Sequence, residues 1–285
     1  FPNDFNSPHS LKKLMNDDPN WYPNKQINNT EILEVINYLD LFITKLGVYQ
    51  EEVYANALKI MKKKYRILNQ KKKDIQYTVT LLNPLIQSLN FTYPIKDSIE
   101  NLNMGLYKKM YGKNGLKSCM DIKIIDRNGK NWVSGQIKDK KQFMYRQSTL
   151  TNFGRIFSQE ELPKYSGKIN SICKTIKKSK GVIIIYSQYI DGGCVPIALA
   201  LEEMGFKRYG NNRSLFKNLD VEQLNPITME PMGEEKVNQA SYVMITGDPL
   251  LSPDNNLELI ACTNENNKNG EIVKVVIVSK AGSEG

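Results

Sequence analysis

The sequence predicts an α/β chain built on a parallel sheet flanked by helices, and three observations carry that prediction. Residues 181–186 and 241–246 are apolar runs, the pattern of strands buried on both faces of a parallel sheet, and residues 272–278 form a third strand. The segments around them carry apolar residues at helical spacing, with Ile169, Ile172, Cys173 and Ile176 on one face. Helix breakers punctuate the alternation: Gly205 ends a helix over 193–204, and Ser252 with Pro253 opens one that runs to about Cys262. Strand, helix, strand, helix, strand is the order of a parallel sheet.

The elements follow from the N-terminus. Residues 1–45 are rich in Pro and Asn and read as a connector, closed by a short helix with Thr30 as N-cap. From Leu46 the spacing changes. Leu46, Tyr49, Val53, Tyr54, Ala57, Leu58, Met61, Tyr65 and Leu68 recur every three or four residues and predict one long amphipathic helix. Lys59, Lys62, Lys63, Lys64 and Arg66 occupy its other faces, and Lys71, Lys72 and Lys73 follow. This basic run is a solvated helix face or a surface that tracks phosphates. Residues 78–90 form a second apolar helix, stopped by Tyr93 and Pro94. Residues 95–160 read as an insertion containing a small antiparallel hairpin. Asp121 to Ile125 alternate, residues 126–129 (Asp-Arg-Asn-Gly) turn, and Trp132 and Val133 resume the strand.

Composition narrows the class. Of 285 residues, 39 are Lys or Arg and 30 are Asp or Glu, a net charge of +9 that favours phosphate-bearing partners. The apolar runs fall far short of the ~18 residues of a membrane span. Cys119, Cys173, Cys194 and Cys262 are too far apart for a zinc motif, and His9 is the one histidine, which leaves no metal cluster and no Cys–His dyad. Reduced thiols in an intracellular protein are the expectation. The chain opens on Phe1 and ends at Gly285, directly behind a strand that should feed a covering helix; it is expected to be a piece of a longer protein.

The chemistry gathers at the strand ends. Ligands of parallel sheets bind beyond the carboxyl ends of the strands. Here those ends carry Ser187 and Gln188, Thr246 and Gly247, and Ser279 through Gly285. Short hydroxyl side chains and bare backbone let a phosphodiester approach and accept hydrogen bonds, and both serines are expected at an open rim. Residues 112–118 (Gly-Lys-Asn-Gly-Leu-Lys-Ser) imitate a phosphate-binding loop, but Leu116 stands where glycine must precede the lysine, and no buried strand leads into it.

These residues carry a family resemblance. Ser166, Gly167 and Lys168 open a helix, residues 182–188 form a strand ending in Ser-Gln, and Thr246 with Gly247 end a second strand. Residues 275–285 read Val-Val-Ile-Val-Ser-Lys-Ala-Gly-Ser-Glu-Gly. Together they resemble the second RecA-like domain of superfamily 2 helicases, with a Swi/Snf-type flavour; the last segment is similar to motif V. Gln50 and Tyr54 resemble the Gln-x-x-x-Tyr helix that begins that domain. Residues 111–115, 154–157 and 187–205 are similar to the helicases of giant viruses and poxviruses that are linked to viral transcription.

The resemblance implies a RecA-like sheet over residues 46–285, with the insertion at about 95–160 and a break after motif V. It implies nucleic-acid contacts at Ser187, Gln188, Thr246, Gly247, Ser279 and Lys280, and coupling to an ATP cleft at Gly282, Glu284 and Gly285. ATP and Mg2+ would be held mainly by the first RecA-like domain, whose phosphate loop and acidic box are absent here. The arginines of motif VI are absent too, so no catalytic or metal-binding residue is expected in this segment, which alone should be inactive. Nucleic acid, the other RecA-like domain and transcription machinery are the implied partners, with no membrane; the location is intracellular, in host cytoplasm or virion if the protein is viral. The competing class is a RecA-like module that binds nucleic acid within a transcription complex without turning over ATP.

Overall fold

The computed structural model describes residues 43–71, 79–126, 139–210, 214–233 and 238–283. The chain divides after Ile43, and every described element belongs to the unit that begins at Thr44. The short helix expected at Thr30, the strand expected at Trp132 and Val133, and Glu284 and Gly285, expected to couple to an ATP cleft, lie outside the described residues.

Helix α1 (Val48–Lys71) buries Val53, Ala57 and Met61, spaced by four, against Leu85, Tyr107 and Met110. Leu85 belongs to α2 (Val79–Asn90) and Tyr107 to the short α3 (Met104–Tyr107). Gln50 is fully buried and ties this layer to the sheet domain. Its Nε2 donates to the carbonyls of Ser88 (2.9 Å) and Leu89 (3.3 Å), and its Oε1 accepts the Gly167 N–H at 3.1 Å. A Cβ on Gly167 would lie 2.0 Å from the Lys45 carbonyl oxygen, so only glycine lets the chain entering α1 pass this close.

The imitation phosphate loop is the start of α4 (Gly112–Cys119). A Cβ on Gly115 would sit 2.3 Å from the Tyr93 ring, so this glycine serves helix packing. The hairpin pairs β1 (Met120–Asp126) with β2 (Asp139–Tyr145), Asp126 opposite Asp139. The described part of the returning strand begins at Asp139. Phe143 of β2 exchanges backbone bonds with Leu215 and Lys217, which docks the hairpin on the main body. Helices α5 (Gln147–Phe153) and α6 (Leu162–Tyr165) lead to α7 (Gly167–Lys178), whose N-cap Ser166 accepts the Ile169 N–H at 3.0 Å.

The main sheet is parallel throughout, in the order β3 (Ile183–Ser187), β6 (Val275–Ser279), β5 (Ser241–Ile245), β4 (Lys207–Arg208). Alternate residues face opposite layers. Ile185, Tyr242, Met244, Val275 and Ile277 meet Ile169, Cys173 and Ile176 of α7 and the wholly buried α8 (Val195–Glu203). Val243, Ile245 and Val276 meet Ala261 of α9 (Asn255–Cys262). The architecture is α/β, a parallel sheet flanked by helices with a separate antiparallel hairpin, consistent with a RecA-like fold.

Two local expectations change. The run at 181–186 does not form a strand buried on both faces: β3 is an edge strand, and Ile184 and Tyr186 are 73% and 57% exposed. The crossover helix α9 joins β5 to β6 and packs against β5 and β6, so among the described residues β3 is covered on one face only. Ser252 does not cap the helix that runs to Cys262 either. That helix starts at Asn255 with Asp254 as its N-cap residue, because the Ser252 hydroxyl is engaged with Thr246.

Candidate nucleic-acid interface

Parallel register brings the three strand ends into one row. Ser187 stands opposite Ser279, and Ile245 opposite Val278, so Thr246 follows on the far side of Ser279. The sequence-predicted contacts thus converge on one rim at the carboxyl edge of the sheet. Their surroundings differ.

Ser187 is half-buried, and its Oγ lies in a tight turn, donating to the Tyr189 carbonyl (3.2 Å) and accepting the Tyr189 N–H (3.3 Å). A Cβ on Gly193 would fall 2.0 Å from that oxygen, so the Gly192–Gly193 turn, a π-type helix over Ile190–Cys194, leaves room for the hydroxyl. Cys194 Sγ donates to the Ser187 carbonyl at 3.6 Å. Burial pushes this thiol up to about 12, so it remains protonated near neutral pH.

Ser279 is 1% exposed rather than open, and its Oγ accepts the Gly282 N–H at 3.2 Å. It is the N-cap of α10 (Lys280–Ser283), the helix that begins where β6 stops. Thr246 is buried as well. Its hydroxyl lies 2.7 Å from Ser252 Oγ and accepts the Asp248 N–H at 3.3 Å. Gln188, Gly247 and Lys280 are exposed. Gly282 lies against the end of β5: a Cβ there would meet the Ile245 carbonyl oxygen at 2.2 Å. Gly247 faces Ala281 across the same gap, where a Cβ would come within 2.7 Å of the alanine methyl.

The rim therefore has two layers. Ser279, Thr246 and Gly282 fix the backbone, and Gln188, Gly247 and Lys280 reach solvent, with Ser187 between. Sequence reasoning missed the supports. Lys141 of β2 forms an ion pair with Asp248, and its N–H donates to the Leu250 carbonyl at 3.0 Å, which pins the β1–β2 hairpin to the loop after β5. Gly192 and Gly193 could have been found as a glycine pair behind a strand; Lys141 and Asp248 are 107 residues apart and carried no local signal. Backbone amides, small hydroxyls and a cation suit the recognition of a phosphate backbone. Among the described residues, no group of three His, Cys, Asp or Glu side chains could hold a metal ion. No described helix is long and apolar enough to cross a membrane.

Comparison with known proteins places this chain near one group of viral proteins. It is 30% identical, over 146 aligned residues, to the termination factor NPH-I homologues of African swine fever virus, among them the Tick/Malawi, Warthog/Namibia and Pig/Kenya isolates. The alignment covers 44% of this chain and 20% of each relative, so the chain spans about a fifth of the length of the curated relatives it matches. No family model matches the chain, and no solved structure matches it.

Proposed function

We propose that this chain is the second RecA-like half of a viral, transcription-linked ATP-dependent helicase or translocase, and that its share of the work is to hold the nucleic-acid backbone. The single observation that supports this most is the register row of Ser187, Ser279 and Thr246, which sets three small hydroxyl residues along the carboxyl rim beside exposed Gln188, Gly247 and Lys280. The similarity to viral termination factors supports the link to transcription.

On this reading the exposed amide of Gln188, the Gly247 backbone and the Lys280 ammonium bind phosphates. The buried layer beneath keeps these groups in place. Gly282 links the rim to the end of β5, so movement at an ATP cleft reaches the backbone contacts; the family resemblance gives Glu284 and Gly285 the same coupling role. ATP and Mg2+ belong to the first RecA-like domain. On this reading the chain is assigned no step of phosphoryl transfer. The whole protein would alternate between tight and loose grip as the two domains close and open, a cycle of differential affinity.

The test uses the 285-residue chain and fluorescence anisotropy with labelled single strands of several sequences. Weak, sequence-tolerant binding that falls steeply with salt is expected, as for contacts made to phosphates, together with no ATP turnover. A flat salt dependence, a strong preference for one sequence, or nucleic-acid-stimulated ATP hydrolysis by this chain alone would refute the proposal.

A further inference from the structure

Helix α1 carries a second concentration of positive charge that neither the rim nor the fold uses. Lys59, Lys62, Lys63 and Arg66 stand at i, i+3, i+4 and i+7, one face of the helix, and all are exposed, as is Lys64 beside them. At 1.5 Å per residue the row is about 10 Å long. Among the described residues none of these cations pairs with a carboxylate. Lys59 Nζ donates to Asn56 Oδ1 at 3.3 Å.

Two structural explanations fail. Cations complement a helix dipole only within the last turn, and α1 continues five residues past Arg66 to Lys71. Like charges three and four residues apart repel, so the stripe weakens the helix that bears it. The surface beside the stripe also has a definite form. Lys59, Lys63 and Lys64 border a groove of about 520 Å³ whose other residues are Ile60, Leu102, Asn103 and Met104. Asn103 Oδ1 is occupied in capping α3, where it accepts the N–H groups of Gly105 and Leu106. The groove thus offers ammonium groups and apolar surface but little to accept a peptide's N–H groups. A polymer that alternates phosphates with sugar and base surfaces matches it better than an acidic peptide does.

The groove is also connected to the rim. Met61, next to Lys62, packs in one cluster with Leu85 of α2, and Asn83 of α2 accepts the Tyr189 hydroxyl at 2.9 Å. Tyr189 in turn closes the turn on Ser187.

We infer that the basic face of α1 is a second contact for a nucleic-acid backbone, which extends the strand path from the rim across the α1–α2 layer. This rests on the proposed nucleic-acid function and adds a surface to it. The test compares the wild-type 285-residue chain with a variant carrying Lys59→Gln, Lys62→Gln, Lys63→Gln and Arg66→Gln, with its Lys/Arg-swapped counterpart (K59R, K62R, K63R, R66K), and with Lys280→Gln. The probe is a labelled oligodeoxythymidylate of about 20 nucleotides, longer than the ~4–16 nucleotides of a typical single-strand site. Each lost phosphate contact lowers the log–log salt slope by about 0.7, so the glutamine variant should lose about 2–3 units of slope. Its affinity at low salt should fall at least about tenfold. Its Tm should hold or rise, because repulsion is removed, and the swapped variant should bind like wild type. An unchanged slope in the glutamine variant beside a reduced slope in Lys280→Gln overturns this inference and leaves the rim reading standing. Absence of binding by the wild-type chain overturns both. Preferential loss of affinity for a polyglutamate peptide overturns it in favour of an acidic protein partner.

Discussion

Replacing Ser279 by alanine separates the two duties that meet at the rim. The hydroxyl is 1% exposed and accepts the Gly282 N–H at 3.2 Å, so its removal leaves a donor at the start of α10 without its acceptor. Loss of such a cap costs about 1 kcal/mol, within a range of about 0.5–2. In a chain of this size that lowers Tm by about 2–4 °C. Ser187→Ala should cost less, about 0.5 kcal/mol, because its two contacts are long, lie within one turn and are half exposed to water that can replace them. The order reverses for binding. Ser187 lies nearer the surface, and a hydrogen bond to a charged phosphate is worth about 1.5–3 kcal/mol, roughly a tenfold loss of affinity or more. Thermal melts and anisotropy titrations on both variants measure the two effects. If Ser279→Ala melts like wild type, the capping account fails. If Ser187→Ala binds single strands as tightly as wild type, Ser187 is a turn former and does not touch phosphate.

Gly282→Ala should be more damaging than either serine change. The new methyl would meet backbone atoms of Ile245 at 2.2 and 2.8 Å, so the end of β5 and the start of α10 must separate, at about 1–3 kcal/mol. Gly233→Ala, where nothing lies within 4 Å, is the control, and equal melts for the two would refute the packing account. The thiols give a prediction in pH. Burial pushes Cys119 and Cys262 up to about 11 and Cys173 and Cys194 up to about 12, from an ordinary value of 9.0. Folded chain at about pH 8 should therefore react slowly with iodoacetamide, half-buried Cys262 first, while denatured chain reacts at all four. The unfolded thiols ionise first as pH rises, so this contribution to stability is intact below about pH 9 and declines above it. Mass spectrometry of alkylated peptides checks the order, and rapid labelling of Cys173 in the folded chain would refute it.

Local sequence was enough to place three of the four strands of the main sheet and the helices beside them, but not the short β4. The strands at 183–187, 241–245 and 275–279 lie where the apolar runs placed them; for the two inner strands, β5 and β6, the reason is that a strand inside a parallel sheet has few polar positions to display. The spacing of Val53, Ala57 and Met61 specified the buried face of α1 for the same reason of periodicity. Gly205, at φ +103, ended its helix as a glycine in that backbone region does. Strand order, by contrast, depends on pairings as distant in the chain as Ile183 with Val275, and no local pattern encodes it. Only the tertiary structure made β3 an edge strand, so that its apolar run, indistinguishable in kind from β5, leaves Ile184 and Tyr186 exposed. It also aligned Ser187, Ser279 and Thr246 in one row, turned Ser279 and Thr246 inward as backbone supports, and brought Lys141 to Asp248. A serine at a strand end looks the same in sequence whether it faces water or caps the next helix; the packing of the neighbouring element decides which.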